Sequence, residues 1–178
     1  FGVMAACPKH TFQVLTKRPA RAVEFFEWAE GNNHSHPETI CLHYSRAYTA
    51  APTPGVYSWP LRNVHLGVSV EDQSAADERI PLLLQCPAAV RWVSYEPALG
   101  GVDFRRIKPW HPDHGPDGAD ALAGGSWGNE FVKRMAGGGP GYCNHSGAPT
   151  LSWLVVGGES GVGARPFNLA WARKTVKD

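Results

Sequence analysis

Hydrophobic and polar positions follow two rhythms along this chain. Four short apolar runs each stop abruptly on polar or charged residues: Phe12-Gln13-Val14-Leu15-Thr16-Lys17-Arg18-Pro19, Val64-His65-Leu66-Gly67-Val68-Ser69-Val70-Glu71-Asp72, Val90-Arg91-Trp92-Val93-Ser94-Tyr95-Glu96-Pro97 and Trp153-Leu154-Val155-Val156-Gly157-Gly158-Glu159-Ser160. Their length and their Val, Leu and aromatic content predict buried strands. Between them the period lengthens. Ala22, Phe25, Phe26 and Ala29 recur at i, i+3, i+4 and i+7, which predicts a helix entered at Pro19 and stopped by Gly31-Asn32-Asn33. Asp72 or Ser74 caps a helix carrying Ala75, Ala76 and Arg79, and Pro81 begins a fresh turn through Leu82, Leu83 and Leu84 to Cys86-Pro87. A last helix starts at about Asn168, and Phe1, Val3 and Met4 mark the apolar face of an opening one.

Strands alternating with helices long enough for right-handed crossovers predict an α/β fold, a parallel sheet forming part of a TIM-like (β/α) barrel. Residues 1–178 are expected to form a single partial barrel domain with two interruptions. Residues 32–60, rich in His, Pro, Thr and Tyr, read as an irregular excursion with a short helix around 37–47. Residues 103–150 hold 10 of the 20 glycines and too little apolar periodicity for a packed core, so they read as a long glycine-rich loop insertion with one short helix at Asn129–Met135. The chain opens inside an apolar helix face at Phe1 and closes within a helix at Asp178, as a segment of a longer barrel would.

Composition narrows the function classes without naming one. Hydrophobic residues make up 43% and charged residues 19%, as in soluble globular proteins, and a net charge of +1 gives no electrostatic case for nucleic acid. No apolar run approaches the roughly 18–20 residues that span a bilayer, and the first residues lack the basic flank of a secretory signal, so a cytoplasmic protein is expected. Cys7, Cys41, Cys86 and Cys143 lie far apart, which favours free thiols over disulfides or a structural zinc site, and no metal ligands are assigned. Six of the eight histidines fall in the two irregular segments, where solvated loops are their ordinary home.

The chemistry-bearing positions sit just past the strands. If these run parallel, Lys17, Glu71, Glu96 and Glu159 gather along one rim, where α/β proteins place catalytic and binding groups. A carboxylate there can accept from an ammonium or hydroxyl, or act as a base. In the last segment, paired glycines allow close backbone approach to a ligand, so Gly157, Gly158, Ser160 and Arg165 are candidates for holding a cofactor, a phosphate or a carboxylate. Neither GxGxxG nor GxxxxGK[ST] is present. The plainer role for each glutamate is to cap the next helix or pair with a surface arginine, and for the last segment a tight strand-to-helix turn with Arg165 in a structural ion pair.

Four ordered blocks carry a family likeness: Thr11 to Pro19, Asn63 to Gln73, Ser94 to Gly100, and Val155 to Gly161 with Ala164-Arg165-Pro166. Together they resemble the phage gene-product thirty-seven/sixty-eight family, a domain of unknown function whose members carry an upstream three-cysteine cluster like that of radical S-adenosylmethionine enzymes. The resemblance implies the later part of a radical-SAM-like barrel, with a 4Fe-4S cluster and S-adenosylmethionine in the full-length protein and no cofactor held by this segment. Gly157-Gly158-Glu159 is also similar to the GGE segment that binds the methionine amino group in such enzymes, although here it follows a late strand. Two other functions are open: an anion-binding barrel without radical chemistry, taking a small polar or anionic ligand, and a non-catalytic phage or host interaction module whose protein partner is unknown.

Overall fold

The computed structural model describes residues 1–31, 60–108, 120–123 and 149–178. All four apolar runs are strands: β1 (Phe12–Thr16), β2 (Val64–Ser69), β3 (Val90–Tyr95) and β4 (Trp153–Val156). They form one sheet in the order β1-β2-β3-β4, and every neighbouring pair is parallel. Four helices accompany them: α1 (Gly2–Ala6), α2 (Pro19–Gly31), α3 (Gln73–Gln85) and α4 (Leu169–Lys177). The expected α/β class with a parallel sheet is therefore present, as a mixed α/β arrangement of four strands. The helices expected around 37–47 and at Asn129–Met135 fall outside the described residues.

Strand alternation sorts the side chains onto two faces. Val14, Leu66, Val68, Val70, Val93, Tyr95, Leu154 and Val156 join the main core, together with Phe26 of α2 and Ala76, Ile80, Leu83 and Leu84 of α3. Val68, Val93, Ile80, Leu83 and Leu84 are fully buried. Each such aliphatic side chain contributes about 1.5–3 kcal/mol through burial, so helix-to-sheet packing dominates the stability of this face. The other face carries Gln13 and Leu15, His65, Gly67 and Ser69, Trp92 and Ser94, and Trp153 and Val155. Leu15 (45% exposed) and Val155 (37%) mark it as open at both flanks.

Two local expectations change. Asp72 caps α3 by accepting from the Ala75 amide at 2.9 Å, but the helix runs unbroken through Pro81. Pro81 is itself buried in the core, and this packing outweighs the backbone hydrogen bond that proline cannot donate. In α1, Val3 is exposed (46%) while Gly2 and Ala5 face inward, and Phe1 stacks on Phe25 with ring centroids 5.5 Å apart.

Cys86 closes α3 in the core, its Sγ 3.3 Å from the Leu82 carbonyl, and burial pushes its thiol up to about 12. A thiol held protonated is a poor nucleophile. In the native protein, maleimide labelling followed by peptide mapping should modify half-buried Cys7 and leave Cys86 unlabelled until the fold is disrupted.

Candidate functional site

The parallel register carries the strand ends into alignment. Ser69 pairs with Ser94 and Tyr95 with Val156, and the Val70 amide donates to the Ser94 carbonyl at 2.9 Å just beyond β2. Continued past the strand ends, the same register brings Glu71, Glu96 and Gly157 to corresponding positions, on strands spaced about 4.8 Å apart. Thr16 pairs with Val68, so Lys17 falls in the preceding row beside Ser69. Backbone bonds close this rim: the Leu99 and Gly100 amides donate to the Glu71 carbonyl at 2.8 and 3.2 Å, and the Ala98 amide donates to the Gly157 carbonyl at 2.9 Å.

Glu71 lies between two cations. Lys17 Nζ donates to Oε1 at 2.5 Å, and Arg79 donates from one terminal nitrogen to Oε2 at 2.9 Å and to the Ser69 carbonyl at 2.8 Å. The Glu71 side chain is only 15% exposed, and that burial taken alone raises its pKa. The Lys17 hydrogen bond and the Arg79 charge together outweigh it and hold the carboxyl below its ordinary value. Arg79 was not among the sequence-derived site residues. It reaches the rim from α3, two turns beyond Glu71, where the sequence shows only an arginine in a helix.

Glu96 is exposed and, among the described residues, no hydrogen bond or ion pair engages its carboxylate. Its side chain lies across Gly157: a Cβ at that position would sit 2.2 Å from Glu96 Oε1 and 3.0 Å from Cδ. Gly157 therefore acts by leaving room for Glu96. Gly158 similarly makes way for Phe167, with 2.8 Å from an added Cβ to the Phe167 Cβ.

Glu159 and Arg165 are joined to each other. Arg165 donates from Nε to Oε2 at 2.8 Å, from a terminal nitrogen to Oε1 at 2.9 Å, and from its backbone amide to Oε2 at 3.0 Å. These side-chain and backbone bonds hold the Glu159 carboxyl down to about 2 and raise the Arg165 guanidinium. The loop between them turns through Gly161 and Gly163 at positive φ of 102° and 81°, a conformation that glycine adopts freely. No described hydrogen bond or ion pair ties Glu159 to Lys17, Glu71 or Glu96. Ser160 is exposed in the same loop. Of the expected rim residues, the geometry thus joins Lys17 to Glu71 directly, sets Glu96 beside them by register, and turns Glu159 toward Arg165.

Sequence reasoning also passed over Ser69 and Ser94, which are 5% and 6% exposed on the open face. A signal was present: Ser69-Val70-Glu71 and Ser94-Tyr95-Glu96 repeat a serine two positions before two of the three rim glutamates. Among the described residues, no three His, Cys, Asp or Glu side chains come together as a group able to hold a metal ion, and no helix is long and apolar enough to cross a membrane.

A family model described as a protein of unknown function, DUF5131, matches residues 1–178, and the chain belongs to that family. No curated protein matches the chain, and no solved structure does.

Two outcomes follow from the geometry. Glu71→Gln should lower Tm by roughly 2–4 °C at neutral pH, on the scale of about 1 kcal/mol for a partly exposed ion pair. Because the folded-state pKa of Glu71 is depressed, its contribution is complete above the ordinary value of 4.5 and disappears as pH falls through the lower folded value. The difference in Tm between wild type and variant should therefore shrink on acidification. Separately, Gly157→Ala should displace the Glu96 side chain, visible as changed Glu96 carboxyl shifts in NMR, while the sheet amides keep theirs.

Proposed function

We propose that this DUF5131 member contributes the later strands of a radical-SAM-like (β/α) barrel enzyme that holds a polar ligand at the carboxyl ends of its parallel strands. The observation that carries this reading is that Glu71, Glu96 and Gly157 follow three aligned parallel strands, Glu71 two positions past β2 and Glu96 and Gly157 one position past β3 and β4. Parallel sheets are ordinarily covered on both faces, and here the described helices pack against one. That supports a sheet whose second face lines a barrel interior. Glu96, free of described partners, is the acceptor for a ligand ammonium or hydroxyl. Lys17, with Glu71 and Arg79, sets the charge beside it.

The radical chemistry, the phage origin and the cytoplasmic location rest on the resemblance and the composition. The described cysteines, Cys7 half-buried and Cys86 sealed in the core, do not fit an iron–sulfur cluster. Its ligands would lie outside the described residues. The second reading, an anion held by Gly157, Gly158, Ser160 and Arg165, is less favoured because the Arg165 fork is already committed to Glu159. An interaction module centred on residues 103–150 would rely mostly on residues outside those described.

The test is anaerobic. The full-length protein, reconstituted with iron and sulfide and reduced with dithionite, should convert S-adenosylmethionine to 5′-deoxyadenosine and methionine. Glu96→Gln should lower the rate or affinity about tenfold or more, the scale of a charge-assisted hydrogen bond. Failure to incorporate iron and sulfide, together with no cleavage, would overturn the radical reading.

A further inference from the structure

Glu96 stands at the head of a short turn, residues 96–100, and the turn is held from both sides. Toward β4, the Gly157 amide donates to the Tyr95 carbonyl at 3.2 Å and the Ala98 amide donates to the Gly157 carbonyl at 2.9 Å, so the glycine that makes room for Glu96 is bonded on either side of it. Toward β2, the Leu99 and Gly100 amides both donate to the Glu71 carbonyl. Gly100 also lies against the cap of α3, where an added Cβ would come 3.3 Å from the Asp72 Cβ. One turn thus links the backbone of the paired carboxylate to that of the free one. A single side chain reaches it from the core: the Tyr95 hydroxyl donates to the Gly100 carbonyl.

Tyr95 is fully buried, and its ring meets Phe104 edge to face with centroids 5.9 Å apart and planes at 76°. Packing on this ring fixes where the hydroxyl sits. Burial, and after it the negative charge of Asp72, push the hydroxyl's pKa up, so it stays protonated and able to donate. A phenylalanine would fill nearly the same volume, and what the oxygen adds is a tie from the core to the rim. We infer that Tyr95 is a positioning residue: its hydroxyl fixes the turn 96–100, and through the turn it sets the place of the Glu96 carboxylate over Gly157 and its spacing from Glu71. The role given to Tyr95 rests on Glu96 being the ligand acceptor of the proposed function, and not on radical chemistry.

Two variants of the full-length protein separate positioning from packing. Tyr95→Phe should change the Glu96 carboxyl shift in NMR and speed exchange of the Leu99 and Gly100 amides roughly three- to tenfold, the scale of one lost hydrogen bond. Phe104→Leu thins the core beside the ring but keeps the hydroxyl, so it should lower Tm and spare both signals. In the S-adenosylmethionine assay, Tyr95→Phe should lower the same parameter as Glu96→Gln, rate or affinity, by roughly three- to tenfold. In the Glu96→Gln background it should cause no further loss, because it acts through that carboxylate. The wild type offers a check that needs no variant: the Tyr95 hydroxyl proton should exchange slowly enough to be seen. A fast-exchanging hydroxyl would overturn the role, as would an unchanged Glu96 shift in Tyr95→Phe, an equal change in Phe104→Leu, or losses that add in the double variant. Glu96-dependent cleavage with an unchanged Glu96 shift removes the positioning role alone. A changed Glu96 shift without any cleavage removes the radical reading and leaves Tyr95 in control of Glu96.

Discussion

Parallel register is the constraint on which the site depends. A one-residue slip between β2 and β3 would move Glu71 and Glu96 to opposite faces, because side chains alternate along a strand. The slip is opposed by the core: Leu66, Val68, Val70, Val93 and Tyr95 can all meet α2 and α3 only in the observed pairing. Burial on one face thus holds the polar arrangement on the other. The carboxylates need no direct contact with each other to be placed.

The same sheet edge handles its charges in two ways. At Glu71 a partly buried carboxylate is shared between a strand-end lysine and a helix arginine, so its charge is locally compensated and its geometry fixed. At Glu159 the charge is compensated within one short loop by Arg165. Only Glu96 among these three is left to solvent within the described structure. Desolvating a carboxylate is expensive unless a partner replaces the water, and an exposed rim position leaves that exchange to whatever binds.

Much of the sheet was legible in the sequence, because short Val- and Leu-rich runs ending on charge have few other readings in a chain of mixed period. The strands, the α2 stripe of Phe26 and Ala29, and the start of α4 at Asn168 followed from periodicity and capping alone. Pro81 did not, since proline's local preference was overridden by its burial between Ile80 and Leu83. The site was only half legible. Strand ends indicated which residues share a rim, but partner choice is set in three dimensions. Arg79 crosses from helix to rim, and Arg165 finds Glu159 across a turn made by Gly161 and Gly163. A serine recurs two residues before Glu71 and before Glu96, but only once the strands are known to lie side by side does that spacing acquire a meaning.

Gly67 gives up its own side chain to the indole of its neighbour: an added Cβ would come within 2.4–2.7 Å of three Trp92 ring atoms. The two positions therefore form a single unit of inheritance. A lineage that enlarges residue 67 must shrink residue 92 in the same step, and Trp153, left without its stacking surface, would be free to drift. Variation across relatives should consequently arrive here in linked sets, with the surface of this face changing in jumps rather than by degrees.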